Sequence, residues 1–145
     1  MSSRPAIVLD ANILLRSILG RHVRRLLDEY AERIAFFAPD LCFAEARRYT
    51  KEIAEKRRIS VERAFATLDE IGKIVTSVEA SVYSHLEEDS RERVRLRDPD
   101  DWPVVALALL LDCPIWTEDR DLFGSGIPTW TSSTVEIYLE KKRSK

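Results

Sequence analysis

The sequence predicts an α/β fold, a three-layer α/β/α sandwich with a central parallel sheet, and three observations carry that expectation. Short apolar runs at 6–9, 34–38 and 115–117 alternate with longer segments whose apolar residues recur at helical spacing. The run 104–111 is apolar throughout, which describes a helix covered on several sides rather than one on the surface. No repeat, linker or low-complexity segment divides the chain. At 145 residues with 45% hydrophobic content, it suits one domain over 1–145 with an ordinary core.

In chain order, Ala6, Ile7, Val8 and Leu9 form a first strand ending in Asp10, and Asn12 opens a helix through Leu14, Leu15, Ile18 and Leu19. Gly20 breaks it. Val23, Leu26, Leu27, Tyr30 and Ala31 resume a helical stripe, and a second strand at 34–38 is stopped by Pro39. Asp40 can cap the next helix. Along that helix Leu41, Glu45, Tyr49 and Ile53 share a face, which places the Glu45 carboxylate within an apolar stripe. Ser60 caps a helix with Val61, Ala64, Phe65, Leu68 and Ile71 inward, and Gly72 suits its end. A short strand at Ile74 and Val75 follows, then a capping box of Thr76 and Glu79 ahead of Val82, Tyr83 and Leu86. Arg91, Arg93, Arg95 and Arg97 scatter around a helix axis and read as a solvated face.

A further helix starts near Asp100, because Pro103 is tolerated in a first turn, and Pro114 stops it. Ile115, Trp116 and Thr117 then form a buried strand, followed at once by Glu118, Asp119 and Asp121. Gly124 and Gly126 give a turn, and 127–131 is an edge strand because it contains Pro128. Ser133 and Glu136 have capping-box spacing before a helix carrying Val135, Ile137 and Leu139, and Lys141, Lys142, Arg143 and Lys145 form a basic tail.

Composition excludes little about partners and more about chemistry. With 25 acids against 23 Lys and Arg, the formal charge of -2 neither predicts nor excludes a nucleic-acid ligand. Cys42 and Cys113 form no CxxC pair, and no Cys/His cluster offers a zinc site, so free thiols in a reducing, cytoplasmic setting are expected. The apolar stretch 13–19 is interrupted by Arg16 and too short to span a bilayer, and no signal-peptide pattern is present. Four glycines supply neither GxGxxG nor a GK[ST] ending for nucleotide binding.

The acids are the informative feature. In parallel α/β sheets ligands bind beyond the carboxyl ends of the strands, which is where Asp10 and Asp119 or Asp121 fall, with Asp101 at the head of a neighbouring helix. Each has a plainer reading: Asp10, Asp98, Asp100 and Asp101 can serve as helix caps, and Glu45 can pair with Arg47 or Arg48. One cap explains one carboxylate, not three. Carboxylates gathered in one pocket repel unless protonated or neutralised by a hard divalent cation, and oxygen-only ligands favour Mg²⁺ or Mn²⁺. Such ions promote phosphodiester hydrolysis.

The segments VLDANILL, FAEA, RDPDDWPVVALAL and IWTEDRDLF, in this order and spacing, resemble the PIN-domain ribonucleases, including the toxins of toxin–antitoxin pairs. The resemblance covers nearly the whole chain. It implies a PIN-like parallel sheet between helices and a Mg²⁺- or Mn²⁺-dependent endoribonuclease site. By motif Asp10 would be the first acid, Glu45 the second, Asp101 the third and Asp119 the fourth, with Asp121 as an auxiliary ligand or alternative fourth. Asn12 and Thr117 match supporting polar positions, and the register within Asp100/Asp101 and Asp119/Asp121 stays open. RNA as substrate, an antitoxin and a homo-oligomer are the implied partners. Arg21, Arg24, Arg25, Arg47, Arg48 and Arg58 are candidates for phosphate contacts. A dehalogenase-like phosphatase is disfavoured because Asn12 stands where its second aspartate is required. The serious rival is a non-catalytic RNA-binding or adaptor domain on the same fold.

Overall fold

The computed structural model describes residues 4–143, so Lys145 of the basic tail lies outside the described residues. Five parallel strands, β1 (Ala6–Leu9), β2 (Ala35–Pro39), β3 (Val75–Val78), β4 (Ile115–Trp116) and β5 (Thr129–Trp130), form one sheet in the order β3-β2-β1-β4-β5. The helices are α1 (Ala11–Leu19), α2 (His22–Tyr30), α3 (Asp40–Lys56), α4 (Val61–Ile74), α5 (Ala80–Tyr83), α6 (Glu87–Arg93), α7 (Trp102–Leu111) and α8 (Val135–Arg143). They flank the sheet in an α/β/α arrangement. Helix α7 lies against β1, β2 and β4 with α5 and α6 packed on it, and α1 gathers α2, α3 and α4 into a second group.

This order fixes where a ligand can sit. The chain steps outward from β1 to β2 to β3, then returns through α7 to place β4 on the other side of β1. The reversal opens a crevice between the carboxyl ends of β1 and β4. Both strands are apolar because both faces are covered: Ile7, Val8, Leu9, Ile115 and Trp116 are fully buried. Trp116 also meets Phe36 with ring centroids 6.3 Å apart. Helix α7 is buried continuously from Trp102 to Ala108, as its unbroken apolar run requires.

Several local expectations are corrected. The buried face of α3 is Cys42, Ala46, Thr50 and Ala54, one position on from the expected stripe, while Leu41 and Tyr49 are 45% and 39% exposed. Small side chains let α3 approach α1 and α4 closely, and the larger apolar residues are left at the margin. Asp40 does not cap α3, whose cap position is Pro39; its carboxylate accepts from Leu41 N, Ala80 N and Tyr83 Oη at 2.7, 3.0 and 2.8 Å. It ties the start of α3 to α5.

Gly72 lies within α4, which runs on to Ile74, and β3 occupies 75–78 because it pairs with β2 along its whole length. Strand pairing thus takes Thr76 out of the expected capping box, and the helix expected beyond it is divided into α5, a short 3₁₀ turn and α6. Asp112, in the left-handed conformation at φ 51°, ends α7 before Pro114 is reached. Ahead of α8 the turn is joined by Thr131 and Thr134 rather than by a Ser133–Glu136 box, and Ile137 faces solvent. The expected solvated arginine face is a set of ion pairs, Arg91–Glu87, Arg93–Asp89, Arg95–Glu92 and Arg97–Asp121. Gly124 and Gly126 do form the expected turn, at φ 97° and 88°.

The Asp40 bridge is testable as a double-mutant cycle. Asp40→Ala strands the buried Tyr83 hydroxyl and the Ala80 amide, so it should cost about 3 kcal/mol in urea unfolding, against about 1 for a simple cap. In a Tyr83→Phe background the same substitution should cost about 1 kcal/mol less. Equal costs in both backgrounds would refute the bridge.

Candidate metal centre

Beyond the ends of β1 and β4 lies a cleft of about 210 Å³ whose lining includes Asp10, Asn12, Glu45, Asp100, Asp101 and Asp119. Each acid is delivered by a local structural reason. Asp10 follows β1 and caps α1, accepting from Ile13 N through Oδ1 at 3.2 Å. Its Oδ2 accepts from the Thr117 hydroxyl and from Asn12 Nδ2, the latter at 3.1 Å. Capping is therefore one of its tasks and occupies one oxygen.

Asp98 caps the 3₁₀ turn Pro99–Asp101 by accepting from Asp100 N at 3.0 Å, which leaves Asp101 free to face the cleft. Asp119 is held from two sides: its N–H donates to Thr117 Oγ1 at 2.9 Å, and its Oδ1 accepts from Asp121 N at 2.9 Å. Thr117 thus links the two strand ends. Asn12 adds a second link, its Oδ1 accepting from Glu118 N at 3.3 Å. Glu118 itself turns away, accepting from Ser132 N at 2.6 Å.

One carboxylate oxygen from each of Asp101, Asp119 and Asp121 lies within 4.8 Å of the others. Asp10, Glu45 and Asp100 line the cleft around this group. Glu45 is exposed, because the face of α3 that bears it is the margin and not the core. Asp121 is also reached by Arg97 at 3.8 Å and Asp100 by Arg91 at 3.9 Å, so two cations stand at the rim.

The electrostatics are unfavourable for the ionised acids alone. Burial, opposed by the Thr117 and Ile13 hydrogen bonds and reinforced by Asp119, pushes Asp10 up to about 7. Burial, then the neighbouring Asp119, Asp98 and Asp10, raises Asp101 to about 8. Asp101 Oδ2 is buried and has no hydrogen-bond donor on it. An acceptor stranded among other carboxylates fits a cation, and an all-oxygen set fits a hard divalent one. The residues present therefore suit Mg²⁺ or Mn²⁺.

The remaining candidates separate. Arg47 is held by Asp69 at 3.0 Å and lies over Phe65, and Arg48 lies over the Tyr49 ring. Arg21 lines a neighbouring groove with Arg16 and Arg57, which the sequence reading passed over. Cys42 and Leu41 also border the cleft; both follow from their position one turn before Glu45, a signal that the period-four stripe obscured.

Residues 8–140 match the family model described as PIN domain. The chain belongs to the PIN-domain family. Among solved structures, this PIN domain is similar to PAE2754 from Pyrobaculum aerophilum, at 17% identity and TM-score 0.71, covering 94% of this chain and 90% of that one. It is also similar to VapBC2 from Rickettsia felis bound to a DNA fragment from their promoter, at 11% identity, TM-score 0.68 and coverage of 87% and 98%. A toxin–antitoxin complex from Klebsiella pneumoniae matches at 19% identity, TM-score 0.59 and coverage of 87% and 97%. No curated protein matches the sequence.

A pH prediction follows from the two raised acids. Their folded pKa values lie above the unfolded value of 3.8, so folding binds protons between that pH and about 8, and stability falls as pH rises through this window. In metal-free protein the melting temperature should decline from pH 5 to pH 8. Asp101→Asn should flatten the decline and raise the value at pH 8. Mg²⁺ or Mn²⁺ at about a hundredfold excess over Kd should raise wild type by roughly 8 °C and the variant far less. Equal metal stabilisation of both proteins would exclude Asp101 as a ligand.

Proposed function

We propose that this PIN domain is a Mg²⁺- or Mn²⁺-dependent endoribonuclease that hydrolyses RNA phosphodiester bonds in the acid cleft. The observation that carries the reading is the convergence of Asp101, Asp119 and Asp121 within 4.8 Å, next to Asp10 and Glu45 and around an oxygen with no donor. Family membership supports nuclease chemistry, and RNA as the substrate follows the family resemblance of the motifs.

Asp10, Glu45, Asp101 and Asp119 are the proposed catalytic acids, and with Asp121 they would hold the metal. A divalent ion there lowers the pKa of water and offsets charge developing on the phosphoryl oxygens. Thr117 positions two of these acids at once, donating to Asp10 and accepting from Asp119 N. Asn12 fixes the Asp10 carboxylate plane and ties it to the β4 end through Glu118 N. Arg97 restrains Asp121 from the rim. Because Asp10 and Asp119 are held by strand ends and caps, these two acids need little rearrangement when a phosphate arrives, which is where preorganised sites gain rate.

The toxin of a toxin–antitoxin pair is the cellular role we propose. It is supported by the likeness to the Klebsiella pneumoniae toxin–antitoxin complex and by the motif resemblance. Expression without a partner should arrest growth, and a cognate antitoxin should co-purify from the native host. Unimpeded growth together with solitary purification would count against this role.

The enzymatic reading has its own test. Structured and unstructured RNA incubated with Mn²⁺ should be cut internally, with no cutting in EDTA. Asp10→Asn and Asp101→Asn should each reduce the rate on the order of a hundredfold or more. RNA binding that survives EDTA and both substitutions, with no cleavage by wild type, would make the protein an adaptor instead.

A further inference from the structure

A second groove, of about 430 Å³, adjoins the acid cleft, and Asn12 lines both. Its rim carries Arg16 from α1, Arg21 from the turn before α2, and Arg57 from the end of α3. No acid lines it. All three arginines are exposed, and none has a carboxylate or side-chain hydrogen-bond partner among the described residues. Seven other arginines, Arg24, Arg25, Arg47, Arg91, Arg93, Arg95 and Arg97, each pair with an acid.

Three elements therefore bring three uncompensated cations to one concavity in a chain whose net charge is -2. The field of such a groove attracts a polyanion. Its apolar part, Leu15, Leu19 and Val23, offers a surface for the face of a base. The other basic side chain in the lining, His22, is already engaged, with Nε2 3.0 Å from Ser132 O and Nδ1 3.5 Å from Arg25. A positively charged groove that tracks the backbone is one part of how single strands are held.

We propose that a single-stranded RNA segment next to the scissile phosphate lies in this groove, its phosphates on Arg16, Arg21 and Arg57, and crosses Asn12 into the acid cleft. The proposal deepens the nuclease reading and rests on it for the direction of the strand. It also changes the set of phosphate-binding candidates. Arg16 and Arg57 enter it, and Arg47 leaves because Asp69 holds it.

The test is binding of a fluorescein-labelled single-stranded RNA 12-mer, read by anisotropy across 50–200 mM KCl, with Asp101→Asn protein so that the RNA stays intact. Combining Arg16→Gln, Arg21→Gln and Arg57→Gln should weaken Kd about tenfold or more, and should reduce the slope of log Kd against log salt by about 2. The matching Arg→Lys set should keep the slope. Lys73→Gln, exposed at the far end of α4, should change neither. All three positions are surface arginines, and unchanged melting curves would confirm intact folding.

Unaltered affinity in the glutamine set would overturn the proposal, as would an equal loss with Lys73→Gln. Retained RNA binding with lost binding of a polyglutamate peptide would also overturn it and assign the groove to an acidic protein segment. The cleavage assay separates the two readings. If the protein with an intact acid cleft cuts no RNA but the glutamine set still loses binding, the groove stands and the nuclease reading falls. If the glutamine set in an otherwise wild-type protein cuts RNA with unchanged KM, the groove falls and the nuclease reading stands.

Discussion

The carboxylate of Asp10 is the point at which two strand ends, one helix and the acid cleft are joined. One oxygen ends the free N–H groups of α1 at Ile13, and the other takes the Thr117 hydroxyl and the Asn12 amide. Since Thr117 Oγ1 also receives Asp119 N, a displacement of Asp10 would be felt at the next acid along. Hydrogen bonds of this kind favour the ionised carboxylate, yet burial to 7% exposure opposes it more strongly, and the group stays shifted upward. The crevice thus holds its acids against their own preference. A structure built for stability alone would have replaced some of them with neutral side chains.

The sequence made the frame legible wherever a residue's surroundings are uniform. Strand β1 begins and ends at the expected residues because it is central and covered on both faces, so every position is apolar. Helix α7 is legible for the same reason, since it touches three strands and has no exposed position until Leu110. The acids at the ends of β1 and β4 follow from those two elements and the rule for parallel sheets. Their order along the chain was enough to place Asp10 and Asp119 at one edge.

Legibility failed where partners, not periodicity, decide. Leu41, Tyr49 and Ile53 are all larger than the residues that α3 buries, which are Cys42, Ala46, Thr50 and Ala54. Glu45 was singled out as a buried acid, yet it stands at the cleft while exposed, so its place there has a different physical cause from the one first inferred. The capping boxes failed similarly. Thr76 is claimed by pairing with β2 and the turn before α8 is claimed by Thr131 and Thr134, because long-range and local hydrogen bonds compete for the same groups. Asp40 had the right residue type for a cap, but its bonds reach Ala80 and Tyr83, some forty residues away.

Net charge was uninformative because it sums two opposite fields. Arg24, Arg25, Arg47, Arg91, Arg93, Arg95 and Arg97 are each neutralised by an acid one helical turn away or on an adjacent element, which needs no ligand and brings little stability. Around Asn12 the charges are uneven: carboxylates lie on one side, and Arg16, Arg21 and Arg57 on the other. No ion pair joins the two sets among the described residues. A phosphodiester chain meets both requirements together, since its phosphates suit the arginines directly and reach the carboxylates only through a cation. The separation of the two charges across a single asparagine is therefore what gives the site a direction.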